Sequence, residues 1–160
     1  MVYGSGVFWS YPPAWVNPVI MRASAALPAA GAWDATPTEQ NVAGAREVLL
    51  SFTYTRGGVG GAFDFQLEVS PYAVVGNVPA GASEWVTEAL YAPSAVVAGA
   101  DTTSLAQREL ISYTSQGAAA EDFAFGPIEM GGVERLRIRA RESGAVGTPG
   151  TLSIVMECQP

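Results

Sequence analysis

An all-β fold, an antiparallel sandwich of about eight strands in Ig-like or jelly-roll topology, is what this sequence predicts. Three observations predict it. Apolar and polar residues alternate through several short stretches, the period of a half-buried strand. Turn signals such as GGVGG at 57–61 and GTPG at 147–150 separate those stretches at intervals of roughly ten to twenty residues. No amphipathic pattern of ordinary helical length competes with them.

Residues 1–18 read as an extended arm, because Tyr3, Phe8, Trp9, Tyr11 and Trp15 lie among Gly and Pro without a period, and those aromatics call for burial either back on the chain's own core or on a neighbouring molecule. Residues 19–160 read as one sandwich domain, a length that buries a single core without disulfides or metals. VIMRASA at 19–25 is a weak strand, and residues 26 to about 45 read as loop with one helical turn at most. REVLLSFTYTR turns Val48, Leu50, Phe52 and Tyr54 to one face, and AFDFQLEVS turns Phe63, Phe65, Leu67 and Val69 inward with Asp64, Gln66, Glu68 and Ser70 outward. Joined by the glycine run, these two read as a β-hairpin. EWVTEALYA at 84–92, QRELISYTS at 107–115, DFAFGPIEM at 122–130, VERLRIRAR at 133–141 and TLSIVMEC at 151–158 complete the strands.

Composition narrows the function. Aliphatic and aromatic residues make up 49% and charged residues 14%, an apolar surplus that calls for burial against other subunits. All eight basic residues are arginine, and histidine is absent, which removes the commonest general base and the commonest metal ligand. A net charge of −7 opposes a free nucleic-acid binder. The N-terminus has no basic n-region and is broken by Pro12, Pro13 and Pro18, so it predicts neither a signal peptide nor a membrane span, and the chain reads as a complete reading frame made in the cytoplasm.

The strongest local pattern is VERLRIRARE, which sets Arg135, Arg137, Arg139 and Arg141 at alternate positions. On a strand they form a row about 20 Å long, with Leu136, Ile138 and Ala140 pointing into the core. One reading is a polar face paired with Asp64, Glu68, Glu88 or Glu157 across strands; a second is a grip on an acidic protein neighbour; a third, a phosphate track, wants further basic strands that the sequence does not offer. RGGVGG at 56–61 lacks the Lys-Ser/Thr of a phosphate loop and reads as a turn. Glu121 and Asp122 sit in no calcium loop, the serines have no histidine partner, and Cys158 falls on the inward parity of its strand with Leu152, Ile154 and Met156. No catalytic residue, cofactor or metal is expected. None of Asn17, Asn41 and Asn77 begins a glycosylation site.

At FDFQLEVSPYA followed by SEWVTEALY the chain resembles a pattern common in β-sandwich binding modules, which RLRIRARESGAVGTPGTLSIVME completes with a late strand, a Gly-rich loop and a final strand. Carbohydrate-binding and discoidin-like domains are similar in layout over residues 46 to 157, as are small virion proteins of tailed bacteriophages. With the aromatic arm, the acidic charge and the apolar surplus, the whole looks most like a capsid decoration, or cement, protein. That resemblance implies a non-catalytic virion protein on the outer capsid surface, often a homotrimer, that stabilises the major capsid protein lattice and touches neither nucleic acid nor membrane. The partner-binding residues it points to are Phe8, Trp9, Tyr11 and Trp15 of the arm and Arg135, Arg137, Arg139 and Arg141 of the strand. The alternative is a carbohydrate- or receptor-binding module, for which Trp85, Tyr72 and Tyr91 would form a stacking platform.

Overall fold

The computed structural model describes residues 16–29, 32–88, 90–93, 105–108, 110–144 and 147–160, with the backbone alone at 16, 17, 90–93 and 105–108. The arm residues Phe8, Trp9, Tyr11 and Trp15 lie outside them. The described elements are all strands: β1 (Val16–Ala26), β2 (Glu39–Asn41), β3 (Glu47–Thr55), β4 (Ala62–Ser70), β5 (Val86–Thr87), β6 (Leu90–Pro93), β7 (Leu105–Arg108), β8 (Ile111–Thr114), β9 (Glu121–Glu129), β10 (Arg135–Glu142) and β11 (Thr151–Gln159). Nine of them make two antiparallel sheets, a sandwich as the alternation predicts. The first sheet runs β1-β11-β3-β9. The second runs β2-β10-β4-β5, with β8 also paired to β4, and β6 and β7 form a separate ribbon.

Strand parity carries the core. Val48, Leu50, Phe52 and Tyr54 of β3, with Leu152, Ile154 and Met156 of β11, meet Phe63, Phe65, Leu67 and Val69 of β4 and Leu136, Ile138 and Ala140 of β10, all of them buried. Aromatic rings fill the middle of this layer: Phe52 lies 4.7 Å from Phe65 and 5.0 Å from Phe123, Tyr54 lies 4.9 Å from Phe63, and Tyr113 stacks on Phe123 at 4.3 Å between centroids. Offset and tilted contacts of this kind each add about 0.5–1.5 kcal/mol beyond area burial.

The expected hairpin between β3 and β4 does not form. β3 pairs with β11 and β9, whereas β4 pairs with β10, β5 and β8, so the glycine run carries the chain from one sheet across to the other. Phe52 and Phe65 then face each other through the core instead of lying side by side. Glycine is required at this corner because a Cβ on Gly57 would lie 2.0 Å from the Thr148 carbonyl oxygen. The elements also differ in extent from the sequence reading. β1 begins at Val16, inside the stretch read as arm, and Glu39–Asn41 is a strand in a segment read as loop. The segments at 84–92 and 107–115 each divide in two, one part joining the second sheet and the other the β6-β7 ribbon.

The pairings sort the connections onto two ends. Gly57–Gly61, the residues after Glu142 and Gly150 lie at one end, around a buried carboxylate. Glu142 is 1% exposed, and its two oxygens accept hydrogen bonds from the N–H groups of Ala62 (3.0 Å), Gly144 (3.2 Å) and Gly150 (2.8 Å) and from the Tyr54 hydroxyl (3.2 Å). At the other end, Ser70 lies opposite Arg135, Arg135 opposite Asn41, and Val16 opposite Cys158. The turn after Asn41, the loop after Ser70 and the C-terminal Pro160 therefore emerge together, and there the chain enters β1.

Candidate functional site

The arginine strand lies in the interior of the second sheet, between β2 and β4, and its register decides what the stripe does. Arg137 stands opposite Glu68, Arg139 opposite Gln66, Arg141 opposite Asp64 and Arg135 opposite Ser70. Directly opposed residues of an antiparallel pair share a face. The guanidinium groups consequently meet carboxylates across the strand: Arg137 Nε donates to Glu68 Oε2 at 2.5 Å, Arg139 Nη1 lies 3.6 Å from Glu68 Oε1, and Arg141 Nε donates to Asp64 Oδ2 at 3.0 Å. Glu68 also accepts from Gln66 (3.1 Å), and Asp64 from Ser112 of β8 (2.8 Å).

Arg135 is held more closely than the other three. Its side chain is 6% exposed; Nε donates to the Tyr72 carbonyl at 2.6 Å, Nη1 to Glu39 at 3.0 Å, and Nη2 to Glu84. These contacts tie the strand to β2 on one side and to both ends of the 71–85 loop on the other. The Arg135 hydrogen bond, aided by the Gly76 N–H, holds the Glu84 carboxyl below the usual carboxylate range. Two tryptophans complete the layer. Arg135 and Arg137 lie 4.9 and 4.2 Å from the Trp85 ring centroid, and Arg141 lies 4.4 Å from that of Trp33. Such cation–π contacts contribute about 0.5–2 kcal/mol each, depending on desolvation.

The outward face of the second sheet is thus not the solvated surface that alternation implies. Asp64, Glu68 and Arg135 are 4%, 7% and 5% exposed, buried under the 71–85 loop and the segment around Trp33 and Asp34. Asp34 extends the network, accepting from Arg22 of β1 (3.1 Å), while its backbone carbonyl receives Arg139 (3.3 Å). Of the acids read as partners, Asp64 and Glu68 fill that role. Glu157 stands on β11 in the opposite sheet, and Glu88 joins through its backbone, donating to the Leu67 carbonyl at 2.8 Å. Glu39, Glu84, Asp34 and Trp33 were missed, and Trp85 was read as a sugar platform and not as a partner of the arginines, because their contacts cross sequence separations that no local pattern marks. The one legible signal was the matched spacing of Asp64 and Glu68 against Arg141 and Arg137.

The chemistry open to this face is cohesion. Every arginine of the stripe already has a carboxylate or carbonyl acceptor, and each buried side-chain polar atom among the described residues is satisfied. The aromatic platform divides: Trp85 is half-buried with the guanidinium groups over its ring, Tyr72 is half-buried and gives its carbonyl to Arg135, and the Tyr91 side chain lies outside the described residues. Cys158 is half-buried beside the core, and that burial pushes its thiol up. No group of three or more acidic or cysteine side chains suited to a metal ion occurs among the described residues.

Glu121 and Asp122 are taken by protein donors. Glu121 accepts from the N–H groups of Gln116 and Gly117 (both 2.8 Å) and from the Tyr113 hydroxyl (3.0 Å), and Asp122 from Thr53 (2.6 Å). Burial alone would raise the Glu121 carboxyl, but these donors outweigh it and hold it below its ordinary value. For Tyr113 the effects add: burial first, then the Glu121 hydrogen bond and charge, push it up from 10.0 to about 12. Tyr54 is pushed in the same direction by burial and then by Glu142. Below pH 10 both rings are protonated whether the chain is folded or not, so their contribution is fully present. As the pH rises from 10 toward 12 the unfolded chain ionises first and stability falls. Denaturant midpoints measured across this range should decline, and Tyr113→Phe should remove part of the decline; an identical slope in the variant would show that this phenol does not contribute.

Comparison with protein-family models, with curated proteins and with solved structures yields no match. The functional reading therefore rests on the residues themselves.

Proposed function

We propose that this chain is a non-catalytic virion structural protein, a capsid decoration protein that binds the major capsid protein lattice of a tailed bacteriophage and copies of itself, as a homotrimer on the outer capsid surface. The observation that carries the reading is the internal consumption of charge. An arginine stripe that sequence alone offers to nucleic acid or to an acidic neighbour is committed to the protein's own carboxylates, which stiffens the sheet and ties its covering loop in place. A rigid body suits a part whose contacts repeat over a lattice, where many copies of a modest interface gain avidity. In this reading the arginines shape the body, while Phe8, Trp9, Tyr11 and Trp15 anchor the arm to neighbours. Burying two such aromatics removes about 300–500 Å² from water, worth several kcal/mol before ordering is subtracted.

The carbohydrate-binding alternative has less support, because Trp85, the centre of its platform, stacks on Arg135 and Arg137. The test is the mass in solution by light scattering of the full chain and of a chain lacking residues 1–15, a deletion that leaves β1 whole. The expected result is an oligomer that dissociates on deletion without loss of β-structure. A monomer in both cases would overturn the reading and turn attention to glycan screening.

A further inference from the structure

The two outward faces of the sandwich differ. That of the second sheet is covered by the 71–85 loop and the segment around Trp33 and Asp34, and its charges are paired with one another. The first sheet shows the opposite. Register sets Ile20 of β1 beside Val155 of β11, Val155 beside Ser51 of β3 and Ser51 beside Ala124 of β9, while Leu49 of β3 stands against the register shift at Gly126–Pro127. Cross-strand partners share a face, so these residues form one stripe of apolar and small side chains about 14 Å across. Ile20 is 62% exposed, and Ala124 and Pro127 are exposed too. Among the described residues no loop is hydrogen-bonded or ion-paired to the stripe. An apolar stripe left open on a rigid sheet marks a contact surface.

The chain itself carries a matching piece outside the described residues. Residues 1–15 hold five aromatic side chains and no charged one. With the second sheet covered, the stripe is the sheet face left to receive them. Trp and Tyr suit it twice over: their rings lie on small residues, and their N–H and O–H groups can donate to the carboxylates at its border. Those carboxylates are Glu47, which stands directly opposite Glu129, and Glu157, opposite Leu49. Among the described residues none of the three enters an ion pair. They also turn other occupants away. Two copies stacked by their first sheets would set these acids against the same acids of the partner. A lipid surface draws on Lys or Arg beside the apolar residues, and the outward positions of β3, β9 and β11 supply neither.

We infer that the outer face of the first sheet is the seat of residues 1–15 of a neighbouring copy. This rests on the proposed arm-linked oligomer and names the surface that its arms take. Chain direction favours the neighbour over the chain's own face. β1 starts at Val16, paired with Cys158 at the rim of the sheet, and Pro12 and Pro13 just ahead of it favour extended backbone. Extended chain ahead of Val16 runs off the end of its own sheet, and fifteen residues reach up to about 50 Å, enough to cross a subunit seam. Each copy gives an arm and takes one, a heterologous contact that closes into a ring such as a trimer.

Cysteine pairing tests the contact directly, in full-length chains whose only native cysteine is removed by Cys158→Ser. Ser10→Cys, between Trp9 and Tyr11, and Ser51→Cys, in the stripe, are made in separate chains, mixed dilute and concentrated until light scattering shows the oligomer. Oxidation with copper phenanthroline should give a dimer whose linked peptides join residues 10 and 51. A chain carrying both cysteines that links only within itself would overturn the crossing. Ile20→Asp with Ala124→Asp, both at exposed positions, should weaken self-association at least about 10-fold while leaving the denaturation midpoint in place. An oligomer that dissociates when residues 1–15 are deleted, yet forms no 10-to-51 link and tolerates both aspartates, would overturn this seat while leaving the proposed function standing. A full-length chain that is monomeric at every concentration would overturn both.

Discussion

Replacing Glu142 with alanine is expected to lower the free energy of unfolding by about 3–5 kcal/mol, a large share of the roughly 5–15 kcal/mol that holds a domain together. The carboxylate is 1% exposed and gathers donors from three separate segments: Ala62 at the start of β4, Gly144 and Gly150 on either side of the last turn, and Tyr54 at the end of β3. Alanine leaves the Ala62 and Gly150 N–H groups and the Tyr54 hydroxyl without that acceptor, while the Gly144 N–H keeps the Ala62 carbonyl at 3.2 Å, and an unsatisfied buried donor costs about 1–3 kcal/mol unless water reaches it. The pocket has little slack, since a Cβ on Gly150 would already lie 2.5 Å from the Tyr54 ring. Glu142→Gln separates shape from charge. Its carbonyl can serve one pair of donors while its NH2 confronts the other, so about half the loss is expected. Chemical denaturation of both variants decides the matter; if alanine costs under about 1 kcal/mol, this end is held by strand packing rather than by the carboxylate.

Arg135→Ala is expected to be the most damaging change along the arginine stripe, at about 2–4 kcal/mol, whereas Arg139→Ala costs under about 1 kcal/mol. The contrast follows from burial and partners. The Arg135 side chain is 6% exposed with donors placed on Tyr72, Glu39 and Glu84, while that of Arg139 is 29% exposed and approaches Glu68 at only 3.6 Å. Glu39 and Glu84 are open enough to turn to water when their partner goes, which keeps the cost below that of a fully buried pair. The second readout is local. Without Arg135 the 71–85 loop loses its base, so limited proteolysis should cut there first in Arg135→Ala and not in Arg139→Ala. Equal losses in the two variants would mean that the stripe acts as a diffuse charged layer with no central pin.

The strands carrying the core were legible because their side chains alternate at the pleat's own period. For β3, β4, β10 and β11, the residues read as inward are buried, Cys158 excepted at half-buried, although the fold also buries Asp64, Glu68, Ser70 and Arg135 from the face read as outward. Alternation identifies a shared face but not a neighbour, and the pairing of β3 with β4 was lost for that reason. A glycine run serves a hairpin and a crossing between sheets equally well, and two inward aromatic faces satisfy either arrangement until the rest of the chain is placed. The candidate site was half legible: the stripe and two of its acids stood in the sequence, while Glu39 and Trp33 came from a segment read as loop and Glu84 and Trp85 from the edge of one read as a strand.

By itself the sequence determined the class, the strand parity and the composition of the core, together with a stripe of guanidinium groups on one face, because these depend on near neighbours along the chain. The tertiary structure alone decided the sheet to which each strand belongs, the burial of that stripe under the 71–85 loop, and the meeting of donors from three segments at the Glu142 carboxylate. Those depend on register and on contacts between segments far apart in the chain, such as Tyr54 with Glu142, where the free energy of burying a charge is settled by which donors arrive to meet it.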